Sequence, residues 1–170
     1  MLSFRPHATF MVTLSLLAIA KSAPEVSFVH VYPGFVKTGV SRELTGIVSA
    51  ITKVLFAPVM SMLQVPIDET GKRQVYFATS ARFPPRDARR GGKTDQMDGA
   101  SGIALGSGVH TAIGADGTPG GGVYSIDYEA EGTSQRVQDL MRDLNGDGTT
   151  EQVWNHTEEE FIRITGSTVI

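Results

Sequence analysis

Apolar and polar residues along this chain recur in two periods, and the switches between them lay out its elements. Phe10, Leu14, Leu17 and Ala18 fall on one helical face; Thr9 is placed to cap it and Pro24 to stop it, which predicts a helix over 9–21. Val26, Phe28, Val29, Val31 and Tyr32 then put apolar or β-branched side chains on both faces. That is the pattern of a strand over 26–32 covered on both sides in a parallel sheet. Pro33 removes a backbone donor and ends the strand. Gly34 admits backbone conformations closed to other residues and lets a ligand approach closely.

Farther on, Ile47, Val48, Ile51, Val54 and Leu55 form one stripe within a helical region over 39–64. A further helix is expected over 66–81. Asp68 and Glu69 suit the dipole of its first turn, and Val75, Phe77 and Ala78 are its expected core contacts. Glycine and polar residues dominate 82–121, which predicts a long loop. Residues 122–127 alternate as a strand, Val123 and Ser125 opposite Tyr124 and Ile126. Two short amphipathic helices are expected within 134–166, one around Val137–Met141 and one from Val153 to Ile164. Helices alternating with strands make the class α/β.

In open α/β sheets ligands sit beyond the carboxyl ends of the strands, which makes Pro33, Gly34, Val36 and Thr38 the candidate binding residues. Pro33-Gly34-x-Val36-x-Thr38 after such a strand resembles the proline–glycine segment of short-chain dehydrogenases/reductases, of filamentous-fungal type, and the likeness runs loosely from His7 to Gly166. The resemblance implies that the Val36 backbone and Thr38 hydroxyl hold the nicotinamide carboxamide of NAD or NADP. It also implies that residues 39–64 form a hydrophobic lid over a small hydrophobic alcohol or ketone. The fold it implies is a partial Rossmann-like, doubly wound parallel sheet. Residues 1–170 would be the C-terminal half, with a helical lid and two C-terminal helices.

The chemistry of that family is missing here. Its glycine-rich turn after a first strand does not occur, and the residues four places after Tyr32, Tyr76, Tyr124 and Tyr128 are Val36, Ser80, Tyr128 and Gly132, never lysine. No catalytic residue is therefore assigned. Ser101-Gly102-Ile103-Ala104-Leu105-Gly106-Ser107-Gly108 has glycine-motif spacing, but polar sequence precedes it and more glycine follows, so it is expected to be a loop. The expected function is NAD(P)-dependent hydride transfer by a longer enzyme of which this chain is a part that does not turn over alone. One alternative is a non-catalytic remnant or partner-binding chain, pairing through an exposed sheet edge or forming a homo-oligomer.

Composition narrows this further. At 170 residues, 41% of them hydrophobic, the chain is long enough for one globular domain. A net charge of −3 argues against a general nucleic-acid surface. Arg82, Arg86, Arg89, Arg90 and Lys93 beside Pro84-Pro85 are expected on a solvated loop. With no cysteine there are neither disulfides nor thiolate metal sites. His7, His30, His110 and His156 lack zinc-ligand spacing, and His30 is expected to be partly buried in its strand. Asp143-Leu144-Asn145-Gly146-Asp147-Gly148 copies half a calcium loop. Trp154 stands where the bidentate carboxylate belongs, so a tight turn between helices is expected instead.

A cytoplasmic protein is expected, with one competing reading. Phe10–Ala20 follows Arg5 and ends in Ala18-Ile19-Ala20, the form of a cleaved signal segment, and Asn155-His156-Thr157 is a glycosylation acceptor in a secreted chain. Residues 46–65 are long enough to span a bilayer, but Lys53 near their centre and Pro58 favour a lid.

Overall fold

The computed structural model describes residues 4–36, 64–89 and 103–167. Helix α1 (Phe4–Ser22) leads into strand β1 (Phe28–Val31), followed by the two-residue strands β2 (Phe35–Val36) and β3 (Gln64–Val65). Helix α2 (Ile67–Thr79), a 3-10 turn (Arg86–Arg89), strand β4 (Val123–Ile126), helix α3 (Gln135–Gly146) and helix α4 (Thr149–Thr165) complete the order. β1 pairs with β4 in parallel, Phe28 opposite Val123 and Val31 opposite Ile126. β2 pairs with β3 in the same sense. Helix and strand with parallel pairing fit the α/β class. Among the described residues the sheets have two strands each, so a doubly wound sheet is not seen.

Parity along the β1–β4 pair divides the core in two. Phe28 and Val123 turn to one face, where they meet Leu14, Leu17 and Ala20 of α1 and Met141 of α3. Val29, Val31, Tyr124 and Ile126 turn to the other, against Phe77 of α2 and Phe83. Tyr124, at 0% exposure, is the largest fully buried side chain among the described residues. Its hydroxyl donates to Pro84 O at 2.6 Å, which removes the cost of burying a polar group.

Several expectations need correction. α1 begins at Phe4, so Thr9 lies inside the helix and cannot cap it. Its buried stripe runs through Thr13, Leu14, Leu17 and Ala20, while Ala18 is half-buried at its edge. Val75 and Ala78 are exposed on α2, and Phe77 alone of the three reaches the core. α2 stops at Thr79, where Ser80 turns extended. β1 is half-buried along its length, not covered on both sides. The predicted lid over 39–64 lies outside the described residues except for Gln64, which opens a strand.

Residues 103–121 are loop, as the composition implies, but the arginines before them are not merely solvated. Arg86 pairs with Asp116 of the loop at 3.3 Å and Arg82 with Glu131, beyond β4, at 3.6 Å. Arg90 and Lys93 lie outside the described residues. α4 is seventeen residues long rather than short, and Gly166 closes it in a left-handed cap, its N–H donating to Ile162 O.

The calcium-like stretch is the last turn of α3, Asp143–Gly146, with the two-residue link Asp147-Gly148 to α4. Asp147 Oδ1 accepts from the Thr149 N–H at 2.9 Å and from its hydroxyl, while Asn145 Oδ1 accepts from the Thr150 hydroxyl. The two bonds from Thr149, its hydroxyl first, hold the Asp147 carboxyl below its ordinary value. No cluster of metal-ligating side chains occurs among the described residues. Among them, no helix is long and apolar enough to cross a membrane.

Candidate functional site

β1 and β4 end together, because their register is in step and both run the same way. The Tyr32 N–H still donates to Ile126 O at 2.9 Å, and the chain then breaks away at Pro33. Gly34 has φ +71°, a left-handed conformation that favours glycine. The turn therefore forms where the sequence places it.

Its close neighbour is a side chain of the same fold. A Cβ built at Gly34 would stand 3.0 Å from Tyr128 Cδ1, so the space the glycine leaves is taken by the Tyr128 ring. The expectation that this space admits a ligand is corrected on that side of the turn. Tyr128 is in turn held by α2. Arg73 Nη1 donates to Tyr128 O at 2.8 Å, and the guanidinium lies 5.4 Å from the ring centroid. Arg73 Nε donates to Glu69 Oε1 at 3.0 Å, one helical turn back. The crevice between Pro33, Arg73, Phe77 and Tyr128 is filled by side chains and holds no water-sized space.

The outer side of the turn is open. Tyr32 and Phe35 are 58% and 57% exposed and flank Gly34 with two aromatic rings. Val36 is half-buried in the short pairing of β2 with β3, opposite Val65. Pro33, Gly34 and Val36 are thus brought together at the carboxyl end of the parallel pair, and Thr38 lies outside the described residues.

Tyr128 and Arg73 are contributors that sequence reasoning missed. Tyr128 follows the end of β4 by two residues, as Pro33 follows the end of β1. Once the strands are known to be parallel and in step, that equal spacing predicts neighbours.

On the opposite face, His30 is half-buried, as expected. Its Nδ1 lies 2.9 Å from Thr13 Oγ1, and Thr13 also donates to Thr9 O at 3.1 Å. Burial pushes the imidazole pKa below its ordinary 6.5.

Comparison with known proteins gives the chain its relatives. No family model and no solved structure matches it. It is 32% identical over 162 residues to the oxidoreductase andH of Emericella variicolor, an alignment covering 95% of this chain and 44% of that protein. It is 30% identical to the oxidoreductase AN1596 of Emericella nidulans, over 89% of this chain and 42% of that protein. A third relative, at 29% identity over 91% of this chain and 38% of its own length, is the NmrA-like family domain-containing oxidoreductase notO of an Aspergillus species. The chain spans less than half the length of these relatives, and over nearly all of its own length it is similar to fungal oxidoreductases.

Proposed function

We propose that this chain is the nicotinamide-end half of an NAD(P)-dependent oxidoreductase domain of the short-chain dehydrogenase/reductase type. The observation behind it is the Pro33-Gly34 turn at the carboxyl end of a parallel strand pair, in a chain similar to proteins named oxidoreductases. Similarity to a relative named for an NmrA-like domain supports a nucleotide cofactor. Bound NAD(P) would supply the hydride donor or acceptor. The residues of this chain would position it: Val36 and Thr38 at the carboxamide, with Tyr32 and Phe35 offering exposed rings to a planar heterocycle. The fit rests on the nicotinamide end, because Arg73, the cation that holds Tyr128 beside the turn, is committed to Glu69 and Tyr128. A small hydrophobic alcohol or ketone is the substrate class and the cytoplasm the compartment.

The cofactor claim is tested by titrating the purified chain with NADH and with its mononucleotide half, following dihydronicotinamide fluorescence. Equal, weak affinities are expected, both lost in Gly34→Val. Much tighter binding of NADH would place a pyrophosphate site within these residues, and no binding of either would overturn the proposal. The chain is also expected to oxidise no alcohol by itself, since its proton donor lies elsewhere.

A second reading, a partner-binding or self-associating chain, is favoured by the exposed Tyr32 and Phe35 beside a two-stranded sheet. Light scattering separates the two, because this reading expects a dimer or larger species at micromolar concentration. Secretion is disfavoured by the burial of Leu14, Leu17 and Ala20, at 2%, 1% and 0% exposure, since a segment so placed belongs to the core. Retention of residues 10–20 in the protein from its own source is the expected result.

A further inference from the structure

Between α1, β4 and α3 lies a cavity of about 230 Å³ that shares no residue with the Pro33–Val36 turn. Its floor is made by Ala115, Met141 and Thr13, all buried, and Phe10 and Val137 form its walls. It is open to solvent beside Ile113, and since an apolar hollow of roughly 150 Å³ takes up benzene, one of this size suits a ring bearing a short alkyl substituent.

Several of the polar groups on its surface are engaged. Gln138 Nε2 donates to Thr133 O at 2.8 Å, and the Thr13 hydroxyl is shared between Thr9 O and His30 Nδ1. Among the described residues two hydroxyls are left, that of Thr133 in the loop before α3 and, in the middle of β4, that of Ser125. Its position in the strand follows from parity: it shares a face with Val123, looking towards α1 and away from the aromatic layer. Among the described residues its hydroxyl has no hydrogen-bond partner. A serine in mid-strand, half-buried beside an apolar hollow, leaves one donor and acceptor for whatever enters.

We propose that this cavity is a binding site for a compact, mainly hydrophobic molecule carrying one hydroxyl or carbonyl oxygen, which hydrogen-bonds to Ser125. Apolar burial against Phe10, Val137 and Met141 supplies the affinity. Ser125 supplies the orientation, in the way small-ligand sites combine an apolar lining with few polar groups.

Met141 offers a direct readout, since it lines the cavity. With the chain labelled at its methionine methyls, 4-propylphenol is expected to shift the Met141 resonance saturably, and propylbenzene to shift it with weaker affinity. In Ser125→Ala the phenol is expected to lose roughly three- to tenfold in affinity, as one neutral hydrogen bond is removed, while propylbenzene binds as before. Val137→Phe, which fills the hollow, is expected to abolish both. A Met141 resonance unmoved by either compound at saturation would overturn the proposal in the unaltered chain, with no variant needed. Equal weakening of both compounds by Ser125→Ala would overturn the assigned hydrogen bond.

Discussion

The two faces of the β1–β4 pair are packed in different ways, and the difference separates structure from candidate chemistry. On the α2 face the aromatic rings interlock. Phe83 meets Tyr124 edge-on at 5.3 Å and Phe77 at 6.0 Å, and the layer continues to Tyr128 pressed against Gly34. On the α1 face aliphatic side chains from three helices converge and leave a hollow beside Ser125. Large rings with edge-to-face geometry fill space completely, whereas helices packing on a short sheet meet it over a limited strip. The tight face holds the turn in place, and the looser face has room for a ligand.

The largest test of that contrast is to empty each face in turn. Phe83→Ala is expected to cost about 3–5 kcal/mol, because it removes a buried ring with three aromatic partners, Tyr76, Phe77 and Tyr124. Leu17→Ala should cost nearer 3 kcal/mol, within the usual range of about 2–5 for a buried leucine. Urea midpoints compare the two, and a larger loss for Leu17 would mean that the aromatic face is not the firmer one.

Gly34→Ala comes next, at about 2 kcal/mol, combining the strain of a left-handed alanine with contact on Tyr128. Tyr128→Ala in the same chain should relieve the contact but not the strain. A double-mutant cycle therefore reads the steric part alone. Tyr124→Phe should cost about 1–2 kcal/mol, since it strands the buried Pro84 carbonyl that the hydroxyl now satisfies.

The smallest effect is one of pH on the α1 face. Burial lowers the His30 pKa in the folded state, so below its ordinary 6.5 the unfolded chain binds the proton more readily. The stability this group contributes is complete above that value and is lost as pH falls towards the folded-state pKa. His30→Gln should flatten that part of the curve between pH 7 and 5, measured by thermal unfolding. An unchanged slope would mean that His30 is as well solvated folded as unfolded.

Much of this was legible in the chain. The two-faced apolar run before Pro33 announced a strand in a parallel sheet, and the Pro-Gly pair announced its end, because proline and glycine act through backbone geometry that needs no neighbours. Periodicity located α1, α2 and the terminal helices, though it brought Val75 and Ala78 into the core and left Ala20 out. Those errors share a cause. Spacing identifies a stripe, but which flank of it touches the sheet depends on how the helix is rotated when it docks.

What the sequence by itself determined is therefore local: where the elements begin and turn, that the class is α/β, that thiolate chemistry is excluded, and that Gly34 sits at a special conformation. Tertiary structure alone decided that β1 lies beside β4, more than ninety residues away, and in step with it. From that single pairing follow the contact of Tyr128 with Gly34, its tether to Arg73, and the placing of Ser125 over the cavity. None of these leaves a trace in local propensity, because each is a meeting of side chains whose distance is set by strand register rather than by spacing along the chain.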